Sequence, residues 1–148
     1  MTTALHLAAP SFTPLEVTME HPNAKLAREM YDAFGRGDLD AVRSKYFAPD
    51  VVFYAPGNNA LTGEHRGADN VFAFFGTVFQ LSGGTFHLEI HDVTGSDDHV
   101  VGLTDGVGER DGKPFRYHNV HVMHFKDGKL AELWENPEVD KYDAAWHK

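Results

Sequence analysis

The feature that most constrains this chain is a change of period at Gly83-Gly84. Before that pair, apolar residues recur three and four positions apart; after it, they alternate with polar ones. The first spacing is that of helices and the second that of strands. Residues 85–94, 98–109, 114–126 and 129–135 therefore read as four strands. They are joined by Gly95-Ser96-Asp97, Asp111-Gly112 and Asp127-Gly128, and Asp-Gly pairs are what tight hairpins favour. Helices gathered ahead of an antiparallel meander imply an α+β domain, with the helices on one face of the sheet.

Upstream, Asn23 is expected to cap a first helix in which Leu26, Ala27, Met30, Tyr31 and Phe34 share a stripe until Gly35 and Gly37 stop it. Asp38 caps a shorter helix through Leu39, Val42 and Tyr46 to Phe47. Pro49-Asp50 then leads into a strand, Val51 to Ala55, and Pro56-Gly57-Asn58-Asn59 opens a loop that runs through Gly63 and Gly67. From Ala68 to Leu81, Val71, Phe72, Phe74, Phe75, Val78 and Phe79 cover more than one face, so this third helix is expected to be buried on several sides. Asp140 to Trp146 reads as a final helical turn. The 148 residues suit one domain, 22–148, behind a flexible arm, 1–21.

Composition narrows the function classes. Lysine and arginine number 13 against 22 aspartates and glutamates, a net charge of -9, and phosphate binding needs clustered cations, so no nucleic-acid partner is expected. Ala4 to Pro10 lacks a basic flank and falls short of the ~20 apolar residues a membrane span requires, so the chain is expected to be cytoplasmic. The chain has no cysteine, which excludes disulfides, thiolate zinc sites and a cysteine nucleophile. No nucleophile elbow, Walker loop or dinucleotide fingerprint occurs, and no cofactor is expected. Gly106-Val107-Gly108 reads as a close approach of backbone.

Ten histidines raise the question of a metal. Phe86, Leu88 and Ile90 hold the core parity of their strand, so His87, Glu89 and His91 form an outward polar ladder. His118 and His124 share one face of another strand and His121 takes the opposite one. No trio converges by spacing, and no metal site is expected.

The inward set of that strand is Phe115, Tyr117, Asn119, His121, Met123 and Phe125. An amide and an imidazole on a core-directed face need partners. Either they orient a ligand and move a proton, or His121 is a core histidine bonded to Asn119 or a backbone carbonyl. Of Trp134 and Glu135 one must face inward, and a bulge decides which. An inward Glu135 makes a dyad with His121 available; otherwise it is a surface glutamate.

Over residues 23–147 the chain resembles the SnoaL-like proteins of the nuclear transport factor 2-like superfamily, relatives of polyketide cyclases and ketosteroid isomerase. The resemblance is carried by Tyr31 through Asp38, by Tyr46-Phe47-Ala48-Pro49-Asp50-Val51, by Gly63 through Gly67 with Val71, Phe74 and Phe75, and by His121 through Leu130 with Glu132 and Trp134. It implies a cystatin-like roll: a cone-shaped, curved antiparallel sheet packed on three N-terminal helices, a pocket at the wide end, and a homodimer formed through the outer face. Carried over residue by residue, the isomerase roles fall on Met30 for the oxyanion tyrosine, Ala55 for the general base and His121 for the oxyanion acid. Two of the three are lost, steroid isomerisation by that mechanism is not expected, and Tyr31 is expected to point elsewhere on its helix. The cyclase aspartate has no counterpart in Trp134-Glu135-Asn136-Pro137-Glu138, where Glu135, Glu138 or Asp140 is the substitute. The expectation is a pocket for a small apolar or polycyclic ligand, walled by Met30, Phe34, Phe53, Phe74, Met123 and Trp134. Asn119, His121 and Glu135 are its polar groups, suited to a cofactor-independent isomerase, cyclase or hydratase. The alternative is a non-catalytic dimerisation or ligand-carrier module with a filled core.

Overall fold

The computed structural model describes residues 20–148; the arm expected over 1–21 lies outside the described residues except for Glu20 and His21. Helix α1 spans Pro22–Gly35. Its cap is His21, not Asn23: the His21 ring accepts the Asn23 amide N–H at 3.1 Å. Pro22 explains the shift, since a proline in the first turn has no N–H to satisfy and a φ already suited to a helix. Asn23 instead ties α1 to a hairpin, donating to the carbonyls of Ser96 and Asp97. Asp38 caps as expected, accepting from the Ala41 N–H at 3.2 Å. Helix α2, Leu39–Ala41, runs on as a π-helical turn, Val42–Tyr46.

Strands β1 (Phe47–Ala55) and β2 (Gly63–Arg66) precede helix α3 (Ala68–Leu81). Strands β3 (His87–Gly95), β4 (His99–Arg110), β5 (Lys113–Lys126) and β6 (Lys129–Pro137) form the expected meander, and helix α4 spans Val139–Ala145. Among the described residues the strands form one curved, unclosed sheet of order β2-β1-β6-β5-β4-β3. Its pairings are antiparallel except that β1 runs parallel to β6, so the sheet is mixed where an antiparallel one was expected. Parallel neighbours need a long crossover, and α3 with the whole meander supplies it. The four residues of β2, read as loop from the sequence, pair with β1 from Val52↔Arg66 to Ala55↔Gly63.

Helix α1 packs on β3 and β4, α3 on β1 and β2, and α4 on β5 and β6. Between them Phe34, Phe47, Phe53, Phe74 and Phe75 interlock through tilted and edge-on ring contacts. Each such side chain contributes roughly 1.5–3 kcal/mol on burial, which makes this cluster the mechanical base of the cone. Two glycines of β4 let side chains lie against the sheet. A Cβ at Gly102 would sit 2.3 Å from the Tyr31 hydroxyl, and one at Gly106 would sit 2.5 Å from the Tyr117 ring. The second is the close approach that the glycine pair in β4 implied.

Candidate functional site

Strand β5 points Tyr117, Asn119, His121 and Met123 into the cone, all of them buried. On β6 a register shift between His124 and Phe125 leaves Ala131 as an extra residue, so the parity that puts Leu130 inside is exchanged for one that puts Leu133 and Glu135 inside. Glu135 thereby stands directly across from His121. Trp134 is turned outward, where it stacks on Tyr54 with ring centroids 5.3 Å apart and planes 5° from parallel. It is not a wall of the cone, which corrects that expectation. The bulge decides between the two residues, as their neighbourhood implied.

The interior cavity measures about 70 Å³ and is bounded by Met30, Phe34, Phe53 and Phe74, together with Tyr31, His121, Glu135 and Trp146. Met123 and Asn119 do not reach it. Met123 is fully buried behind the wall. Asn119 is a positioning residue: its side-chain N–H donates to Glu135 Oε1 at 3.0 Å, and its Oδ1 accepts the Asn136 N–H at 3.0 Å.

Four aromatic residues with polar tips complete the site. Tyr31 hydrogen-bonds His121 Nδ1 at 2.8 Å, so it points into the cone and not away from it. The family alignment puts Met30 in the tyrosine's place, yet both side chains bound the cavity, because consecutive residues of α1 straddle a stripe this wide. Tyr142 donates to Glu135 Oε2 at 2.9 Å, and Trp146 donates its indole N–H to the Tyr117 hydroxyl at 3.0 Å. Neither Tyr142 nor Trp146 retains any exposure. Their i, i+4 spacing in 140–146 is the signal that this last helix buries one face in the cone. The turn at 57–60 holds it down, with Asp143 accepting from the Asn58 N–H and the Asn59 side chain and the Trp146 carbonyl from the Ala60 N–H.

The electrostatics follow from this dryness. Burial pushes His121 down to about 4, so the ring is neutral near pH 7. Burial also pushes Glu135 up to about 7, and the bonds from Tyr142 and Asn119 offset it only in part. Part of Glu135 borders a groove with Tyr54, Pro56 and Trp134 and keeps the residue from full burial, while its carboxyl group is enclosed. Burial, with the Glu135 charge behind it, holds the Tyr31 phenol far above its ordinary value. The site is thus a neutral donor facing a carboxyl group poised between its two forms.

The SnoaL-like domain model matches residues 27–133. The chain belongs to the SnoaL-like family. An uncharacterized protein of Mycobacterium tuberculosis is 34% identical over 111 residues, 74% of this chain and 84% of that one. Among solved structures, Bal32a from a soil-derived mobile gene cassette superposes with a TM-score of 0.81 at 30% identity, covering 85% of this chain and 97% of its own. A Xanthomonas campestris protein of unknown function with a cystatin-like fold gives 0.79 at 27%, covering 88% and 100%. A putative SnoaL-like polyketide cyclase from Jannaschia gives 0.70 at 18%, covering 92% and 96%, a likeness of fold alone. The SnoaL-like match stops at Leu133, two residues before Glu135. Among the described residues no helix is long and apolar enough to cross a membrane.

Proposed function

We propose that this SnoaL-like chain is a cofactor-independent acid/base catalyst for a small, largely apolar carbonyl compound. The observation that carries the reading is Glu135, a carboxyl group held near neutrality by an apolar cavity, directly across the sheet from His121. A general base works best when its pKa lies near the working pH. In this reading the Glu135 carboxylate takes a proton from the carbon next to the carbonyl. With the Tyr31 hydroxyl donating to Nδ1, His121 keeps its proton on Nε2 and offers the developing enolate oxygen a neutral N–H. Return of the proton from Glu135 to the far carbon of a conjugated dienolate is an isomerisation; attack of the enolate carbon on a second carbonyl of the same molecule, whose oxygen takes the proton back from Glu135, is a cyclisation. The phenylalanine walls favour flat, apolar substrates.

The test is hydrogen–deuterium exchange at the α-carbon of small cyclic ketones in D₂O, followed by NMR. The wild-type chain is expected to accelerate exchange with a rate that rises through about pH 7, and Glu135→Gln to lose ~10²-fold or more. Equal rates in the two proteins across the panel sink the reading.

One observation favours a second reading, the filled ligand-carrier or pairing module. At about 70 Å³ the cavity is smaller than the ~300–1,000 Å³ of pockets for drug-sized ligands, so a polycyclic ligand requires the cavity walls to part. The same proposal takes the outer sheet face as the surface on which two copies pair, supported by Leu103, 42% exposed beside half-buried Val101, Val120 and Val122.

A further inference from the structure

The outer face carries a second cluster that spacing along the chain hid. Asp105 on β4 stands in register with Glu89 on β3 and His118 on β5. Strand β3 has a register shift between Ile90 and Asp92, with His91 as its extra residue. The bulge brings His91 toward Asp105 when regular pairing would set it beside Leu103. His118 Nδ1 lies 2.5 Å and His91 Nε2 3.0 Å from the same oxygen, Asp105 Oδ1. One ligand atom from each of the three residues falls within 4.8 Å of the others.

The carboxylate is held ready from behind. Arg116 Nη1 bonds Asp105 Oδ2 at 2.8 Å, and the same guanidinium forks onto Glu89 at 2.8 and 3.0 Å. That fork neutralises one of two carboxylates that would otherwise repel across adjacent strands, and it fixes Oδ2 while Oδ1 stays turned to the imidazoles. The side chain of Asp105 is 4% exposed, sealed by the long side chains that bond it. His91 and His118 are open, at 52% and 70%. Exposed histidines gain little from a surface ion pair, whereas two imidazoles and one oriented carboxylate converging from three strands are a donor set for a transition ion.

We propose that His91, Asp105 and His118 form a divalent transition-metal site, with Zn²⁺ as its ion. Two imidazole nitrogens favour zinc over magnesium and calcium, which take oxygen ligands. Arg116 serves as the outer partner that orients the carboxylate. Three protein ligands leave the solvent side to water, so the site is an open one that straps β3, β4 and β5 together on the face opposite the cone. It stands independently of the catalytic reading, since none of its residues reaches the cavity.

The experiment is titration of the whole chain with Zn²⁺ by calorimetry and with Co²⁺ by visible absorption. One equivalent is expected to bind, with affinity weakened at least ~10-fold in His91→Ala and in His118→Ala. His124→Ala, elsewhere on the same face, is expected to bind as the wild type does, and Mg²⁺ not to compete. Asp105 is buried, so the two exposed histidines are the variants of choice; a native circular-dichroism spectrum shows that each has folded. Absence of saturable binding overturns the proposal, as does unchanged affinity in the His91→Ala/His118→Ala double variant, or displacement of Zn²⁺ by equimolar Mg²⁺.

Discussion

His118 and His121 lie three residues apart on β5 and occupy opposite worlds. His121 is 5% exposed, touches a phenol, and is driven neutral by burial. His118 is open to water and touches a carboxylate. The acids opposite them diverge in the same way. Burial raises Glu135, whose bonds come from neutral groups. Desolvation also raises Asp105, but the hydrogen bonds from His118, His91 and Arg116 outweigh it and hold the carboxyl well below the usual range. What separates the two faces is the supply of cations and water, not the identity of the acid. The inner face suits proton transfer, and the outer face suits holding charge.

The largest effect that sharpens this contrast is a truncation on each face. Trp146→Ala removes a fully buried indole and its bond to Tyr117. A loss of ~3–5 kcal/mol is expected, read from urea unfolding. Leu103→Ala on the outer face is expected to change stability by ~0.5 kcal/mol or less in dilute solution. If two copies pair through that face, the wild-type melting temperature climbs with protein concentration and that of Leu103→Ala climbs less. A large cost for Leu103→Ala at every dilution would erase the difference between the faces.

The next effect is electrostatic. His121 sits near 4 in the fold against an ordinary 6.5, so its contribution to stability is full above 6.5 and is lost as pH falls toward 4. Glu135 sits near 7 against an ordinary 4.5, so its contribution is full below 4.5 and is lost as pH rises toward 7. The slopes oppose one another and nearly cancel between about pH 4.5 and 6.5. Glu135→Gln leaves the histidine slope alone. Relative to wild type, the variant is expected to gain about 3 kcal/mol between pH 4.5 and 8, read as the difference of two urea-unfolding series. Parallel pH curves for the two proteins would show that the Glu135 carboxyl is wet.

These contrasts were legible in the sequence only in part. Alternation along β5 assigned its residues to faces because a half-buried strand leaves every second position to water. The helices and the Asp-Gly hairpins were equally plain. Alternation fails where a bulge intervenes, and both sites depend on one: the extra residue Ala131 turns Glu135 inward, and the extra residue His91 completes the outer cluster. Strand β2 has four mostly exposed residues and no periodicity to read, and the parallel partner of β1 lies at the far end of the chain. The cluster at Asp105 draws on three strands, so no local spacing signals it.

Tyr31 tests how tightly the inner face is built. Its hydroxyl is the hydrogen-bond partner of His121 Nδ1, and the backbone leaves room for it only because position 102 has no side chain. Removing one partner of a buried bond leaves the other unsatisfied, so Tyr31→Phe is expected to cost ~1–3 kcal/mol. A loss of stability alone does not separate positioning from packing. The ring nitrogens of His121 do, because the tautomer is set by the bond at Nδ1. Nitrogen NMR is expected to find the proton on Nε2 in the wild type and a mixture of tautomers in Tyr31→Phe. Gly102→Ala keeps the hydroxyl but places a Cβ 2.3 Å from it, and displacing the phenol should produce the same mixture. If the tautomer stays on Nε2 in both variants, the phenol merely fills space, and the donor that the cone offers a ligand is set by something other than Tyr31.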